Sequence, residues 1–349
     1  NAFTESEITD ISRHTLDVCP DCGGELIEAG ERHKDEADYE VRLIKRRHIF
    51  KEYICSKCRK RIHAPIPKNL KEANQYGNTI QATILALVNL GFVSINRTRK
   101  LVCGVLENEF PVSEGYISKL QKRYSKALRS FVYDVRLECL KTAILYWDDT
   151  VVFINTERGC MRFYGNERIA LYKAHPRKNR EGIDNDAILG LLSADTTVMH
   201  DHNTINYNDD FSFTNAECNQ HLQRELQKLH EISHHEWALQ LKELIALTIH
   251  ERKCTLTQNG MAFEAEYVDS FFQNLDTLMK KADEEYANDN SHYYEKDERR
   301  LINRMKNYRE NYFSWVKDFE IPTTNNLSER SLRFVKTHSK VSGQFASST

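Results

Sequence analysis

The sequence predicts a mixed α/β core with a large all-helical insertion, preceded by a zinc ribbon and a helical domain. Two C-x-x-C pairs lie near the N-terminus, and apolar strand segments between residues 142 and 226 carry aspartates. Residues 236 to 320 show helical periodicity and no strand signal of similar strength. A chain of 349 residues with 40% hydrophobic residues is long enough to form two or three domains.

The composition excludes several classes of protein. No apolar run approaches the roughly 20 residues of a membrane span, and the N-terminus lacks a signal-peptide pattern, so a soluble intracellular protein is expected. The nine cysteines are an odd number, and four fall into C-x-x-C pairs, which favours reduced thiols and a metal over disulfides. The sequence starts without Met, and we expect it to be part of a longer chain.

Residues 1–14 form a short N-terminal segment, and residues 15–68 are predicted to form the zinc ribbon. The segments "CPDCGGEL" and "YICSKCRKRI" provide four possible ligands: Cys19, Cys22, Cys55 and Cys58. A two-residue spacer allows both thiolates of a turn to point at one ion, so a tetrahedral structural zinc site is predicted. Two disulfides and chance spacing are the alternatives. Zinc would supply much of the folding free energy of so small a ribbon.

Residues 78–141 are predicted to be helical, with an apolar stripe that includes Ile80, Ile84 and Val88. Ser113 is placed to start a helix within "VSEGYISKLQKRYSKALRSFV". A DNA-reading helix-turn-helix and a plain helical connector both fit this pattern. The net charge of −2 gives no general reason to bind anions, but local basic clusters can contact phosphates. The cluster "RTRK" supplies three such candidates: Arg97, Arg99 and Lys100.

Residues 142–226 are predicted to form the first part of the mixed α/β core. "TAILYWDDTVVFI" is an apolar strand interrupted by Asp148 and Asp149, and "RGCMRFYG" and "RIALYKAH" are two further strands. A helix at "EGIDNDAILGLL" precedes a short strand that ends at Asp201. Buried strands rarely tolerate carboxylates without a partner, so Asp148 and Asp201 indicate a metal site. A solvated strand edge is the alternative explanation for Asp148.

Residues 227–318 are predicted to form the all-helical insertion. Just before it, Cys218 and His221 lie three residues apart on the helical pattern of residues 216–226. Core packing with a helix hydrogen bond is favoured over metal binding for these two side chains, since two residues alone do not make a zinc site.

Residues 319–349 are predicted to end the core with a helix that carries Glu329. In "IPTTNNLSERSLRFVK", Pro322 and the polar run after it supply side-chain acceptors that can cap the first turn. Glu329 and Arg333 lie on the polar side of this helix, and an ordinary ion pair between them is the alternative interpretation.

Two strand-borne aspartates and a helix-borne glutamate are the groups that two-metal phosphoryl transfer requires. Hard oxygen ligands favour Mg²⁺ or Mn²⁺ over zinc. Six segments of the sequence are similar to four blocks of one family: "CPDCGGEL" with "CSKC", then "WDDT", then "VMHDHNTINY" with "ECNQHLQREL", and last "PTTNNLSERSLRFVKTHSKVSGQF". In this way the sequence resembles the DDE transposases of the bacterial insertion sequence 66 family, which have a zinc-binding domain and an RNase H-like core.

The resemblance implies an RNase H-like mixed sheet and a transposase that cleaves the 3′ ends of its element and joins them to target DNA. It assigns Asp148, Asp201 and Glu329 as the catalytic ligands of Mg²⁺ or Mn²⁺. Asp149 stands where the family usually has Glu, so the choice of Asp148 rests on the alignment of "WDDT". The implied partners are terminal inverted repeats and target DNA, bound by a homo-oligomer in the nucleoid. Phosphate contacts are expected from the cations of the last block: Arg330, Arg333, Lys336 and Lys340.

Two other functions compete with this one. A catalytically silent, zinc-dependent DNA-binding protein derived from a transposase would bind DNA but not cut it. A nuclease of another kind on the same core is less compatible with the glutamate block. The intact trio of carboxylates favours the enzyme.

Overall fold

The computed structural model describes residues 3–32, 34–37, 42–72, 74–106, 111–289 and 293–345. The chain divides into two compact units, one formed by Asn1–Gln75 with Leu101–Pro111 and the other by Tyr76–Lys100 with Val112–Thr349. Within the described ranges, no helix combines the length and apolarity that a membrane span needs.

The first unit contains little regular structure. Strand β1 (Glu52–Ile54) pairs antiparallel with strand β2 (Arg61–His63), and a short 3₁₀ helix covers Glu5–Glu7. All residues of both strands are exposed. A hairpin without a buried face gains little from the hydrophobic effect, so other interactions must stabilise this region.

Four helices follow the hairpin: α1 (Asn78–Asn89), α2 (Ile95–Val105), α3 (Glu114–Ala127) and α4 (Arg129–Cys139). The boundary between the two units falls within α2, after Lys100, and the other three helices belong to the second unit. Ser113 is the N-cap of α3, as expected, and its hydroxyl accepts a 3.1 Å hydrogen bond from the backbone N–H of Tyr116. Arg123 of α3 donates to Gln81 of α1 over 2.5 Å. That these helices read DNA stays a prediction.

A five-stranded mixed sheet forms the centre of the second unit. Its strands are β3 (Ile144–Ile154), β4 (Glu157–Gly165), β5 (Ala170–His175), β6 (Thr197–His200) and β7 (Thr214–Glu217). The spatial order is β5-β4-β3-β6-β7. Strands β3, β4 and β5 pair antiparallel, whereas β6 is parallel to β3 and β7 is parallel to β6. This arrangement is compatible with an RNase H-like core.

Strand β7 departs from the sequence-based prediction, which treated residues 216–226 as one helical pattern. In the structure Ala216 and Glu217 end a strand, and the helix starts at Asn219. The strand is four residues long and reads "TNAE", so it has neither the apolar alternation nor the β-branched content that identifies a strand in a sequence.

The two faces of β3 pack against different helices because successive side chains of a strand point to opposite sides. Val152 and its even-numbered neighbour Ile154 pack with α11 (Asn326–Ser342) through Leu332 and Val335. On the other face, Leu145 and Trp147 pack in the core formed with α4 and α5 (Arg180–Asp186). The even-numbered residues of β3 therefore lie on the face of the sheet that packs against α11, the helix that carries Glu329.

Between β7 and α11 lie five helices with their own hydrophobic core. They are α6 (Asn219–Ser233), α7 (Glu236–Thr257), α8 (Ala265–Asn288), α9 (Glu295–Asn307) and α10 (Arg309–Lys317). Trp237, Phe271 and Trp315 are buried at the centre of this core. The buried aromatic rings form a core separate from that of the sheet, and the side chain of Asn311 on α10 donates a hydrogen bond to the Asn215 carbonyl of β7.

Candidate active site

The two predicted aspartates lie where β3 and β6 separate. The parallel ladder between these strands ends at the pair Tyr146–Met199, and Asp148 and Asp201 each follow two residues later. A two-residue step returns a side chain to the same face, so both carboxylates lie on the α11 side of the sheet. Strand register therefore brings together two residues that are 53 positions apart in sequence.

Glu329 approaches the same place from α11. The His221 Nδ1 atom lies 3.1 Å from Oδ1 of Asp201 and 3.7 Å from Oε1 of Glu329. Within the described residues, no ion pair joins Glu329 to Arg333, so the alternative interpretation of an ordinary i,i+4 pair does not hold. The glutamate faces the aspartates rather than the cations of its own helix.

Asn325 connects the start of α11 to both strands. Its side-chain amide donates to the backbone carbonyl of Trp147 over 3.1 Å and to Oδ1 of Asp201 over 3.4 Å. Its backbone N–H donates to Sγ of Cys218 over 3.2 Å. The prediction that side-chain acceptors of this turn cap α11 is wrong for Asn325, whose side chain makes no capping bond. The buried amide is used instead as a donor that fixes the position of Asp201.

An open cleft of about 510 Å³ is lined by all three predicted carboxylates and by Asp149. Its lining also includes four cations: Lys178, Arg224, Arg333 and Lys336. Arg330 lines a separate pocket of about 350 Å³. Because cations and carboxylates line the same cleft, phosphate groups could contact the cations while the carboxylates hold metal ions.

The other predicted phosphate contacts lie outside this lining. Lys340 is exposed further along α11. Arg97 and Lys100 are exposed on α2, whereas Arg99 pairs with Glu114 at 3.5 Å. Only part of the predicted DNA-contacting set thus lines the cleft with the carboxylates.

The environment of the cleft changes two protonation equilibria. Burial, followed by repulsion from Asp201, raises the pKa of Asp148 to about 7. The contact with Asp201, followed by that with Cys218, raises the pKa of His221 to about 10 despite the opposing effect of burial. At neutral pH a charged imidazolium therefore lies between Asp201 and Glu329, in the position of a cation.

A group of four side chains in the described residues is arranged closely enough to hold a metal ion. The potential ligand atoms of Asp201, Cys218, His221 and Glu329 all lie within 4.8 Å of one another, and Asp148 is not part of this group. Oε1 of Glu329 and Nδ1 of His221 are buried and make no aligned hydrogen bond in the described part of the chain. The charged ring of His221 is the positive group beside Glu329 and Asp201, and a metal ion bound among these side chains would have to displace its proton or its ring.

Cys218 and His221 have different surroundings, although the sequence suggested one explanation for both. Cys218 is buried with Met199 and Ala216 and accepts the hydrogen bond from Asn325, which agrees with core packing. His221 instead lines the cleft. With the thiol engaged in the framework, the remaining ligands are mainly carboxylate oxygens, which suit Mg²⁺ or Mn²⁺.

Asp149 lies on the opposite face of β3 and has a different partner. Its Oδ1 lies 2.6 Å from Nζ of Lys178. Arg162, opposite Asp149 in the ladder, is fully buried and pairs with Asp186 at 3.1 Å. Arg162 also donates to the carbonyl of Arg177 over 3.3 Å, which anchors the segment carrying Lys178. Asp149 also lines the cleft, but its carboxylate is paired with Lys178, whereas Asp148 lies on the face of β3 that packs against α11; this favours Asp148 as the residue facing a metal.

The four cysteines of the predicted zinc ribbon form two similar turns in the first unit. The Gly23 N–H donates to the Cys19 carbonyl over 2.8 Å, and the Arg59 N–H donates to the Cys55 carbonyl over 2.9 Å. Among the described residues, the thiols do not form a group of three or more close enough to hold one ion. The four-cysteine site therefore stays a prediction.

Sequence reasoning missed several residues of the cleft, including His202, Asn203 and Arg224. His202 and Asn203 directly follow Asp201, and their position at the end of a short strand was the only available signal. Arg224 lies one helical turn after His221 on α6, so its direction follows from that of the histidine once the helix is known.

Comparison with known proteins agrees with this arrangement. No curated protein sequence matches the chain. The model of a family described as "Transposase IS66 family" matches residues 73–349, which is well over half of the chain and includes the sheet, the insertion and α11. The four cysteines precede the matched region. The chain therefore belongs to the IS66 family of transposases.

Proposed function

We propose that this transposase cleaves the 3′ ends of its element and joins them to target DNA, with Asp148, Asp201 and Glu329 as the ligands of Mg²⁺ or Mn²⁺. The observation that carries the proposal is the meeting of carboxylates from β3, β6 and α11 in one cleft with a cationic lining. When bound, two divalent ions activate an attacking hydroxyl and stabilise the leaving oxygen in such reactions.

The side chains around the carboxylates have supporting roles in this proposal. Arg333 and Lys336 hold phosphate groups of the DNA end, since both line the cleft beside Glu329. Asn325 keeps Asp201 in place through its amide. Residues 15–68 act as a zinc-binding domain and residues 78–141 as a further DNA contact, as the sequence suggests.

The test measures cleavage of a labelled inverted-repeat end in the presence of Mn²⁺. Asp148→Asn, Asp201→Asn and Glu329→Gln should each reduce cleavage at least about 100-fold, because each removes a charged ligand while keeping the shape of the side chain. DNA affinity should change little. Asp149→Asn is the matched control and should retain more cleavage, since Asp149 also lines the cleft but its carboxylate is paired with Lys178.

Two results would contradict the proposal. Wild-type protein that binds the DNA end but does not cut it would support the catalytically silent alternative. Loss of cleavage in Asp149→Asn alone would move the metal site to the other face of β3.

A further inference from the structure

A fully buried carboxylate lies beside the cleft and has no role in the proposed metal site. Glu217, the last residue of β7, is 1% exposed. Its Oε1 accepts hydrogen bonds from Nδ1 of His202 at 2.8 Å and from the hydroxyl of Tyr207 at 2.5 Å. Within the described residues its Oε2 has no partner. Burying a carboxylate costs several kcal/mol, so a role for Glu217 must lie in the groups it holds.

His202 is the group that Glu217 holds towards the cleft. It follows Asp201 directly, lines the cleft and keeps 19% of its side chain exposed. Its ring lies among those of Tyr207, Tyr308 and Tyr312, with centroids 5.2 to 6.3 Å away. Packing on this scale restricts the ring to one orientation.

The hydrogen bond to Glu217 also fixes the tautomer of His202. A carboxylate accepts and does not donate, so Nδ1 of the imidazole carries the proton. Nε2 of the neutral ring is then an acceptor, and in the described part of the chain no hydrogen bond engages it. The burial of Tyr207, followed by repulsion from Glu217, raises the pKa of its phenol, so Tyr207 stays a donor to the carboxylate.

We propose that His202 is a further catalytic residue that accepts a hydrogen bond through Nε2 from the attacking hydroxyl, with Glu217 and Tyr207 as positioning residues. This role rests on the proposed function. In cleavage the hydroxyl belongs to water, and in strand transfer it is the 3′-OH of the cut DNA. In both steps its oxygen bonds to phosphorus, the bond from phosphorus to the leaving oxygen breaks, and the hydroxyl proton goes to solvent.

Two substitutions of His202 distinguish the role of Nδ1 from the role of Nε2. The amide of Asn lies near the position of Nδ1, so His202→Asn keeps a donor for Glu217 but removes the nitrogen at the position of Nε2. The amide of Gln reaches the position of Nε2, so His202→Gln keeps a polar atom there. A merely structural histidine would be replaced better by Asn, whereas a histidine that contacts the nucleophile would be replaced better by Gln.

The experiment measures three quantities in wild-type protein and variants: cleavage of a labelled end at saturating DNA with Mn²⁺, strand transfer of a pre-cut end, and DNA affinity. His202→Asn should slow both reactions about 100-fold and leave DNA affinity within about twofold. His202→Gln should be at least about fivefold faster than His202→Asn. Glu217→Gln should slow both reactions about 10-fold, the size expected when the partner of an active-site group is changed.

A matched control is His230→Asn, since His230 also bonds through Nδ1, to the carbonyl of His235 at 2.9 Å, but lies at the end of α6. It should match the wild type in both reactions. Full activity of His202→Asn in a protein that cleaves normally would overturn this inference alone. If His202→Asn fails to fold, an unchanged rate in Glu217→Gln would overturn it equally. Wild-type protein without cleavage would remove the proposed function and this inference together.

Discussion

At the scale of single residues, adjacent aspartates on one strand have separate roles because β-strand side chains alternate. Asp148 faces α11, and its pKa is raised by burial and by repulsion from Asp201. Asp149 points to the other face of β3 and pairs with Lys178. The local sequence pattern does not distinguish the two aspartates, and the choice of Asp148 from the sequence rested on the alignment of "WDDT". The packing of Val152 with α11 distinguishes them, because it fixes which face of β3 each residue occupies.

The raised pKa of Asp148 predicts that metal binding depends on pH. Below a pH of about 7 the carboxyl is largely protonated, and a divalent ion must displace that proton. The apparent affinity for Mn²⁺ should therefore increase with pH by up to about tenfold per unit below 7, and flatten above it. Calorimetric titrations with Mn²⁺ at pH 6, 7 and 8, in buffers of different ionisation enthalpy, measure both the affinity and the proton release.

The same shift acts on the stability of the metal-free protein with a defined sign. The folded-state pKa is above the ordinary value of 3.8, so the folded protein binds more protons than the unfolded chain between the two values. The contribution of Asp148 to stability is thus lost as pH rises through this window.

Two variants test the pH dependence of Mn²⁺ binding. Asp149→Asn should keep this dependence, whereas Asp148→Asn should bind Mn²⁺ weakly, with an affinity that changes less with pH. Equal profiles in the wild type and Asp148→Asn would contradict this explanation.

At the scale of secondary-structure elements, the strands and helices that carry the carboxylates could be predicted from the sequence because each has a local signature. Asp148 interrupts an apolar run, and Glu329 follows a polar turn that starts a helix. Strand β7 has no such signature. The hydrogen bond between His202 and Glu217 could not be predicted either, because the two residues are 15 positions apart in the sequence. That bond depends on the parallel pairing of β6 with β7, which no local pattern specifies.

The start of α11 shows the same limit. The polar turn correctly predicted where the helix begins, but the role of Asn325 depends on what lies opposite. Its amide meets the carbonyl of Trp147, left free where β3 and β6 separate. A buried carbonyl without a strand partner needs a donor, so the side chain acts as a donor and not as a cap.

The two cysteine turns of the first unit predict about one zinc ion per chain. Backbone hydrogen bonds from Asp21 and then Cys22 lower the pKa of Cys19, and bonds from Cys58 lower that of Cys55, so these thiols ionise more easily for a metal. Metal analysis of purified protein should find this zinc, and Cys55→Ser should lose it and become more sensitive to proteolysis within residues 15–68. Cys254→Ser, on α7, is the control and should keep zinc. Full zinc content in Cys55→Ser would exclude the four-cysteine site.

At the scale of the whole molecule, local charge matters more than the total. The formal net charge of −2 would suggest no affinity for DNA, yet the cleft beside the carboxylates is lined by Arg224, Arg333 and Lys336. Interactions between charges are screened over about 10 Å at 0.1 M salt, so distant acidic residues of the insertion have little effect on a phosphate in the cleft. A near-neutral protein can therefore bind DNA through one surface.

This local charge predicts that DNA binding depends steeply on salt. Each DNA phosphate that an Arg or Lys neutralises releases counterions. Each such contact therefore makes the slope of log affinity against log salt concentration steeper by about 0.9. Replacing both Arg333 and Lys336 by Ala should weaken binding to the element's end and reduce the slope by about 2. Replacing Lys280 and Arg300, which are exposed on α8 and α9, should leave the slope unchanged. Fluorescence anisotropy from 50 to 300 mM salt measures all three proteins, and an equal slope for the wild type and the Arg333/Lys336 variant would show that these cations do not contact DNA phosphates.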